Sequence, residues 1–98
     1  MKLYKDSNQK EEVSSLDLGI VIAGDTKKYD FYVVNDSKAV LENLNFDISH
    51  KEVKITSAPK VLKENEVGRL SIEWSPSVTI KEGLKTLLKI QATELWSW

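Results

Sequence analysis

The 98-residue chain has no cysteine, two prolines, four glycines and a single histidine. Without cysteine there is no disulfide framework, no thiolate metal site and no thiol nucleophile. Domains this small from oxidising compartments are often disulfide-bonded, so the composition points to a reducing compartment or to a particle assembled inside a cell. The opening residues, MKLYKDSNQK, lack the apolar stretch of a secretory signal. No apolar run approaches the ~20 residues that span a bilayer as a helix. Charge of one sign is missing too: 14 basic against 15 acidic residues give a net charge of -1, without the basic excess of a nucleic-acid surface. The expectation is a protein that engages no nucleic acid, membrane or small-molecule substrate.

Catalytic constellations are equally scarce. His50 lies in Ser49-His50-Lys51-Glu52, a solvated connection without the nucleophile and orienting carboxylate that an imidazole base needs. Asp17, Asp25, Asp30, Asp36 and Asp47 are scattered over outward faces and turns, and none fits the spacing of a calcium loop. Gly19, Gly24, Gly68 and Gly83 are singletons, and none precedes the Lys-Ser/Thr pair of a phosphate loop. Asn35-Asp36-Ser37 matches a glycosylation acceptor but reads as a turn, where Asn and Asp tolerate left-handed backbone. Ser14-Ser15-Leu16-Asp17 has the form of a capping box, yet a strand pattern follows it. The residues therefore predict no catalytic site, no metal site and no cofactor.

What the chain does have is alternation. Leu16, Leu18, Ile20 and Ile22 share one face, Tyr29, Phe31 and Val33 the next, and Leu44, Phe46 and Ile48 a third, each with the two-residue period of a strand. Val53 and Ile55 mark a short strand that Pro59 limits to an edge or bend. Leu70, Ile72 and Trp74 form one face of Arg69-Leu-Ser-Ile-Glu-Trp-Ser-Pro76, and the proline stops the ladder. Leu88, Ile90 and Ala92 lie on one face of the last strand. Short strands at roughly ten-residue spacing predict an all-β, two-sheet sandwich of about seven antiparallel strands. Its expected core is Leu18, Ile20, Phe31, Val33, Leu44, Phe46, Ile48, Leu70, Ile72, Trp74, Leu88 and Ile90. Trp74 alone can bury ~200 Å². Residues 1–15 read as a polar arm, a short first strand around Leu3 and then a solvated turn, and 16–98 as the domain.

The ends carry the candidate contacts. Leu3 and Tyr4 are bulky residues in a charged arm, and Trp96 and Trp98 stand where chains usually fray. Tryptophan there docks on its own domain or on a partner. The four are the expected partner-binding residues.

In order along the chain, Leu16-Asp17-Leu18-Gly19-Ile20-Val21 with Gly24 is similar to the "F-G-x-V-x-x-G" opening of small immunoglobulin-like domains of the abnormal-spindle/hydin type. Tyr32 to Ser37 resembles their strand ending in "N-x-G/S". Leu41 with Leu44 resembles "L-x-x-L", and Leu70 to Pro76 "L-x-V-x-F/W-x-P". Gly83 through Ile90 resembles the closing "G-x-x-x-x-x-L-x-I" strand. Glu64-Asn65 stands in place of the family's "P-G", and the cysteines of some bacterial members are missing. The resemblance spans about residues 16–95. It looks closest to free-standing versions in tailed-bacteriophage virions, which implies a non-enzymatic structural protein, an auxiliary or decoration protein bound to the major capsid protein and located in the virion. A neck or tail component is the alternative within the virion. The other reading is a cytoplasmic adaptor that binds an extended peptide at a sheet edge.

Overall fold

A computed structural model describes residues 1–96. They form eight strands, β1 (Lys2–Tyr4), β2 (Leu16–Gly19), β3 (Lys27–Val34), β4 (Val40–Ile48), β5 (Val53–Ser57), β6 (Val67–Trp74), β7 (Leu84–Thr86) and β8 (Leu88–Leu95). No helix is long and apolar enough to cross a membrane. One sheet has the order β1-β3-β6-β5, while β2 pairs with β7 and β4 with β8. Every pairing is antiparallel. The expected last strand is a single run interrupted at Leu87, so β7 and β8 join both small sheets into one layer. The molecule is elongated, 51 × 25 × 17 Å.

The alternation read from the sequence builds the four-stranded sheet. Phe31 pairs with Leu70 and Tyr29 with Ile72, which places these residues on the inward face where opposite side chains touch. Phe31, Val33, Leu70, Ile72 and Trp74 are buried, and Leu16, Leu18, Leu41 and Leu84 meet them from the second layer in one core. Trp74 is completely buried and packs edge-on against His50, with centroids 6.3 Å apart. Leu44, Phe46, Ile48, Leu88 and Ile90 are half-buried residues packed against this core. Gly68 is required by packing, because a Cβ there would lie 2.6 Å from the Pro59 ring.

Two of the expectations are corrected. Ile20, expected in the core, is 59% exposed, as Ile22 is at 65%. The β2–β7 register shifts between Asp17 and Gly19, and Gly19 takes a left-handed φ of 68°. Such an irregularity moves the alternation by one residue, and Val21 turns inward in place of its neighbours. The second correction concerns the arm. Leu3 pairs with Val33 in the sheet and is only 8% exposed, so it is core and not a free contact. Tyr4, half-buried, pairs with Tyr32 and bridges to Glu12.

The turns follow local chemistry. Asn65 has φ 60° at the position where the resembled family has glycine, a geometry that asparagine tolerates. Asn35 is fully buried. Its Nδ2 donates to the carbonyls of Ala39 (2.8 Å) and Leu62 (2.9 Å), while its Oδ1 accepts from the Ser37 N–H (3.0 Å) and hydroxyl (2.7 Å). This satisfied amide is a structural clamp inaccessible to a glycan. Leu62 in turn exchanges two backbone hydrogen bonds with Leu41, which closes part of the outer edge of β4.

Candidate functional site

The other side of that layer is left open. The Ser49 N–H donates to the Leu87 carbonyl at 3.2 Å, which fixes the direction of the backbone groups along the strand. By strand alternation, Leu88, Ile90, Ala92 and Glu94 aim their N–H and C=O groups away from β4. On that edge β2 covers only β7, with Leu16 opposite Thr86. Before Leu16 the chain leaves for the first sheet, where the Val13 N–H donates to the Leu3 carbonyl at 2.8 Å. Among the described residues, β8 therefore has no neighbour on its second edge.

A bulge shapes the surface beside it. Glu42 is opposite Thr93 and Asn45 opposite Gln91, so Asn43 and Leu44 together face Ala92, with Asn43 at φ 52°. The bulge lets both Leu41 and Leu44 point inward along β4. Leu41 is opposite Glu94 and Phe46 opposite Ile90, which puts Ile90, Ala92 and Glu94 on the inward face. That face outruns the sheet opposite it. Leu41, Ile90, Gln91, Ala92 and Glu94 line a groove of about 500 Å³ together with Met1 and Ser37. The Met1 amine is 2.7 Å from Asp36 Oδ1; its hydrogen bond holds the Asp36 carboxyl below the ordinary range. Glu94 is the one acidic side chain in the lining. Trp96, 52% exposed, donates from Nε1 to Glu94 Oε2 at 3.2 Å.

A second exposed feature sits on the β2–β3 and β6–β7 connections. The Gly24 N–H donates to the Pro76 carbonyl at 3.1 Å, and the Ala23 N–H to Thr79 Oγ1 at 2.8 Å. These bonds tie the two connections together, and both present apolar side chains to solvent: Ile20 and Ile22 from one, Val78 from the other. Tyr29 anchors the adjoining strand by donating to the Leu18 carbonyl at 2.6 Å. Burial, with the Asp17 charge adding to it, raises the Tyr29 phenol above its ordinary value.

Of the four residues expected to bind a partner, Trp96 lies at the open edge, Leu3 and Tyr4 belong to the folded sheet, and Trp98 lies outside the described residues. His50 is half-buried, and its Nδ1 accepts the Glu52 N–H at 3.2 Å, a turn role. No cluster of three or more potential metal ligands occurs among the described residues. Glu94 and Met1 belong to no motif in the sequence, and Leu41 entered only as part of the resembled "L-x-x-L" strand. The available signal was in LKIQATEL, where Ala92 and Glu94 replace bulky residues at inward positions. No family model matches this chain, and no curated protein or solved structure matches it either.

Proposed function

We propose that this chain is a non-enzymatic binding protein that docks to another protein through the open edge of β8. The observation that carries this reading is the second edge of β8, eight residues from Leu88 to Leu95, which has no partner among the described residues and ends beside the exposed Trp96. Unpaired edge groups are templates for strand addition, and tryptophan is a frequent anchor in interfaces.

The strand order supports an immunoglobulin-like reading of the fold. In the seven-strand plan, one sheet is A-B-E-D and the other C-F-G. β1-β3-β6-β5 matches the first, β4 and β8 match C and F, and the place of G beside β8 is empty among the described residues. The resemblance supplies the setting: an auxiliary protein of a bacteriophage capsid, held to the major capsid protein by this edge. A neck or tail site uses the same edge at lower copy number, and a peptide-binding adaptor uses it on a free monomer.

The test is quantitative mass spectrometry of gradient-purified particles from the source culture. The chain is expected to band with the major capsid protein in a fixed ratio, of hundreds of copies for the shell and about a dozen for the neck. If all of it remains at the top of the gradient, the virion setting is wrong.

A further inference from the structure

We infer that the β8 edge is a site for one extended peptide segment of a partner protein, added antiparallel to β8, with alternate apolar side chains entering the groove and a basic residue near Glu94. This rests on the docking role assigned above and specifies what docks. The row of outward N–H and C=O groups on Leu88, Ile90, Ala92 and Glu94 calls for an extended backbone, since neither a helix nor a loop can satisfy a regular ladder. Side chains of the added strand alternate in direction. Every second one therefore enters the groove, where Leu41, Ile90, Ala92 and Met1 favour Val, Ile or Leu and Ser37 and Gln91 offer polar partners beside them. The one acidic group in the groove, Glu94, favours Lys or Arg across from it, because opposite charges on facing strand positions stabilise the pair.

Area argues against a second copy of this chain as the occupant. An edge of eight residues is ~26 Å long, which gives on the order of 300 Å² of edge contact per partner. A standard interface takes about 800 Å² from each side. A folded copy presents its edge already flanked by its own sheet faces and cannot reach between the layers. A separate strand can, and it adds side-chain contact with Leu41 and Met1 to the edge contact.

The experiment uses the full chain and three fluorescein-labelled ten-residue probes of alternating valine and threonine. One carries a central lysine, one a central glutamate, and one is the lysine peptide N-methylated at alternate residues. Anisotropy is expected to give micromolar binding of the lysine probe, at least tenfold weaker binding when the pairing edge is N-methylated, and about threefold weaker binding of the glutamate probe. Glu94→Lys reverses the charge preference without touching the backbone. Ala92→Pro removes an N–H that faces solvent, where proline is tolerated, and is expected to weaken binding at least tenfold. In amide NMR the shifts concentrate on Leu88, Ile90, Ala92 and Glu94. No binding of the lysine probe at 1 mM, equal binding by Ala92→Pro, shifts confined to β1 or β5, or concentration-dependent dimerisation through β8 would each overturn the assignment. Particle occupancy separates it from the docking role. If Ala92→Pro lowers occupancy while no probe binds, the edge docks something other than a peptide. If the probes bind while occupancy is unchanged, the peptide site stands and the docking role falls.

Discussion

Replacing Asn35 removes one side chain that ties three segments together. Its amide bonds to the carbonyls of Ala39 and Leu62 and to both donors of Ser37, and no part of it is exposed. Asn35→Ala deletes two buried N–H···O bonds, each contributing about 1 kcal/mol net, and two part-buried bonds from Ser37 that water can replace. The Leu62 carbonyl keeps the Leu41 N–H at 2.9 Å. The Ala39 carbonyl keeps only the Ser37 hydroxyl at 3.4 Å, and a poorly satisfied buried acceptor costs about 1 kcal/mol more. The sum is about 3 kcal/mol. For a chain of this size it corresponds to a fall of about 12–24 °C in Tm, or about 3 M in the urea midpoint at a slope of about 1 kcal/mol/M. Asn35→Asp keeps the volume and the Ser37 bonds but sets a carboxylate oxygen against two carbonyls, at a cost of about 4 kcal/mol for an uncompensated buried charge. Acidification restores one donor, so this variant recovers part of the loss at low pH and Asn35→Ala does not. Urea titration followed by tryptophan fluorescence reads both. Losses below about 1 kcal/mol in both variants, with unchanged slope, would refute the clamp.

The register change at Gly19 is tested by neighbours. Val21→Asp is expected to destabilise by about 3 kcal/mol or more, whereas Ile20→Asp and Ile22→Asp stay within about 0.5 kcal/mol; thermal melts that rank them the other way would restore an uninterrupted strand. Gly68→Ala drives a methyl against Pro59 and is expected to cost about 1–3 kcal/mol by urea titration. Trp74 is buried with its Nε1 lacking an acceptor among the described residues. Trp74→Phe should therefore lose less, under about 2 kcal/mol, than the 3–5 kcal/mol typical of Trp→Ala, and the two melts settle the ratio. Hydrogen bonds from Ser77, including its N–H at 3.0 Å, hold Glu52 below its ordinary pKa. A lowered folded-state value stabilises above the unfolded pKa and is lost as pH falls through the folded one. The stability gap between the parent and Glu52→Gln should thus close on acidification from neutral pH to pH 3; a gap that is constant with pH would contradict the assignment.

The sequence by itself determined the fold class. Period-2 alternation in Phe31-Val33, Leu44-Phe46-Ile48 and Leu70-Ile72-Trp74 is local information, and the structure keeps these residues inward because burial of one face is what sets a strand's register. The break after β3 at Asn35-Asp36-Ser37 was legible for the same reason, since turn chemistry belongs to a residue and its neighbours. Ile20 was misread because an irregularity in one strand depends on its partner: the pairing of Gly19 with Leu84, more than 60 positions away, decides which of Ile20 and Val21 is inside. The short strand around Leu3 was legible, but three residues carry too little pattern to reveal its sheet neighbour, so its burial against Val33 was not. The open edge was beyond the sequence altogether. LKIQATEL reads the same whether its strand has one neighbour or two, and the departure of the chain from β2 towards Leu3 leaves Leu88 to Glu94 without a second neighbour among the described residues.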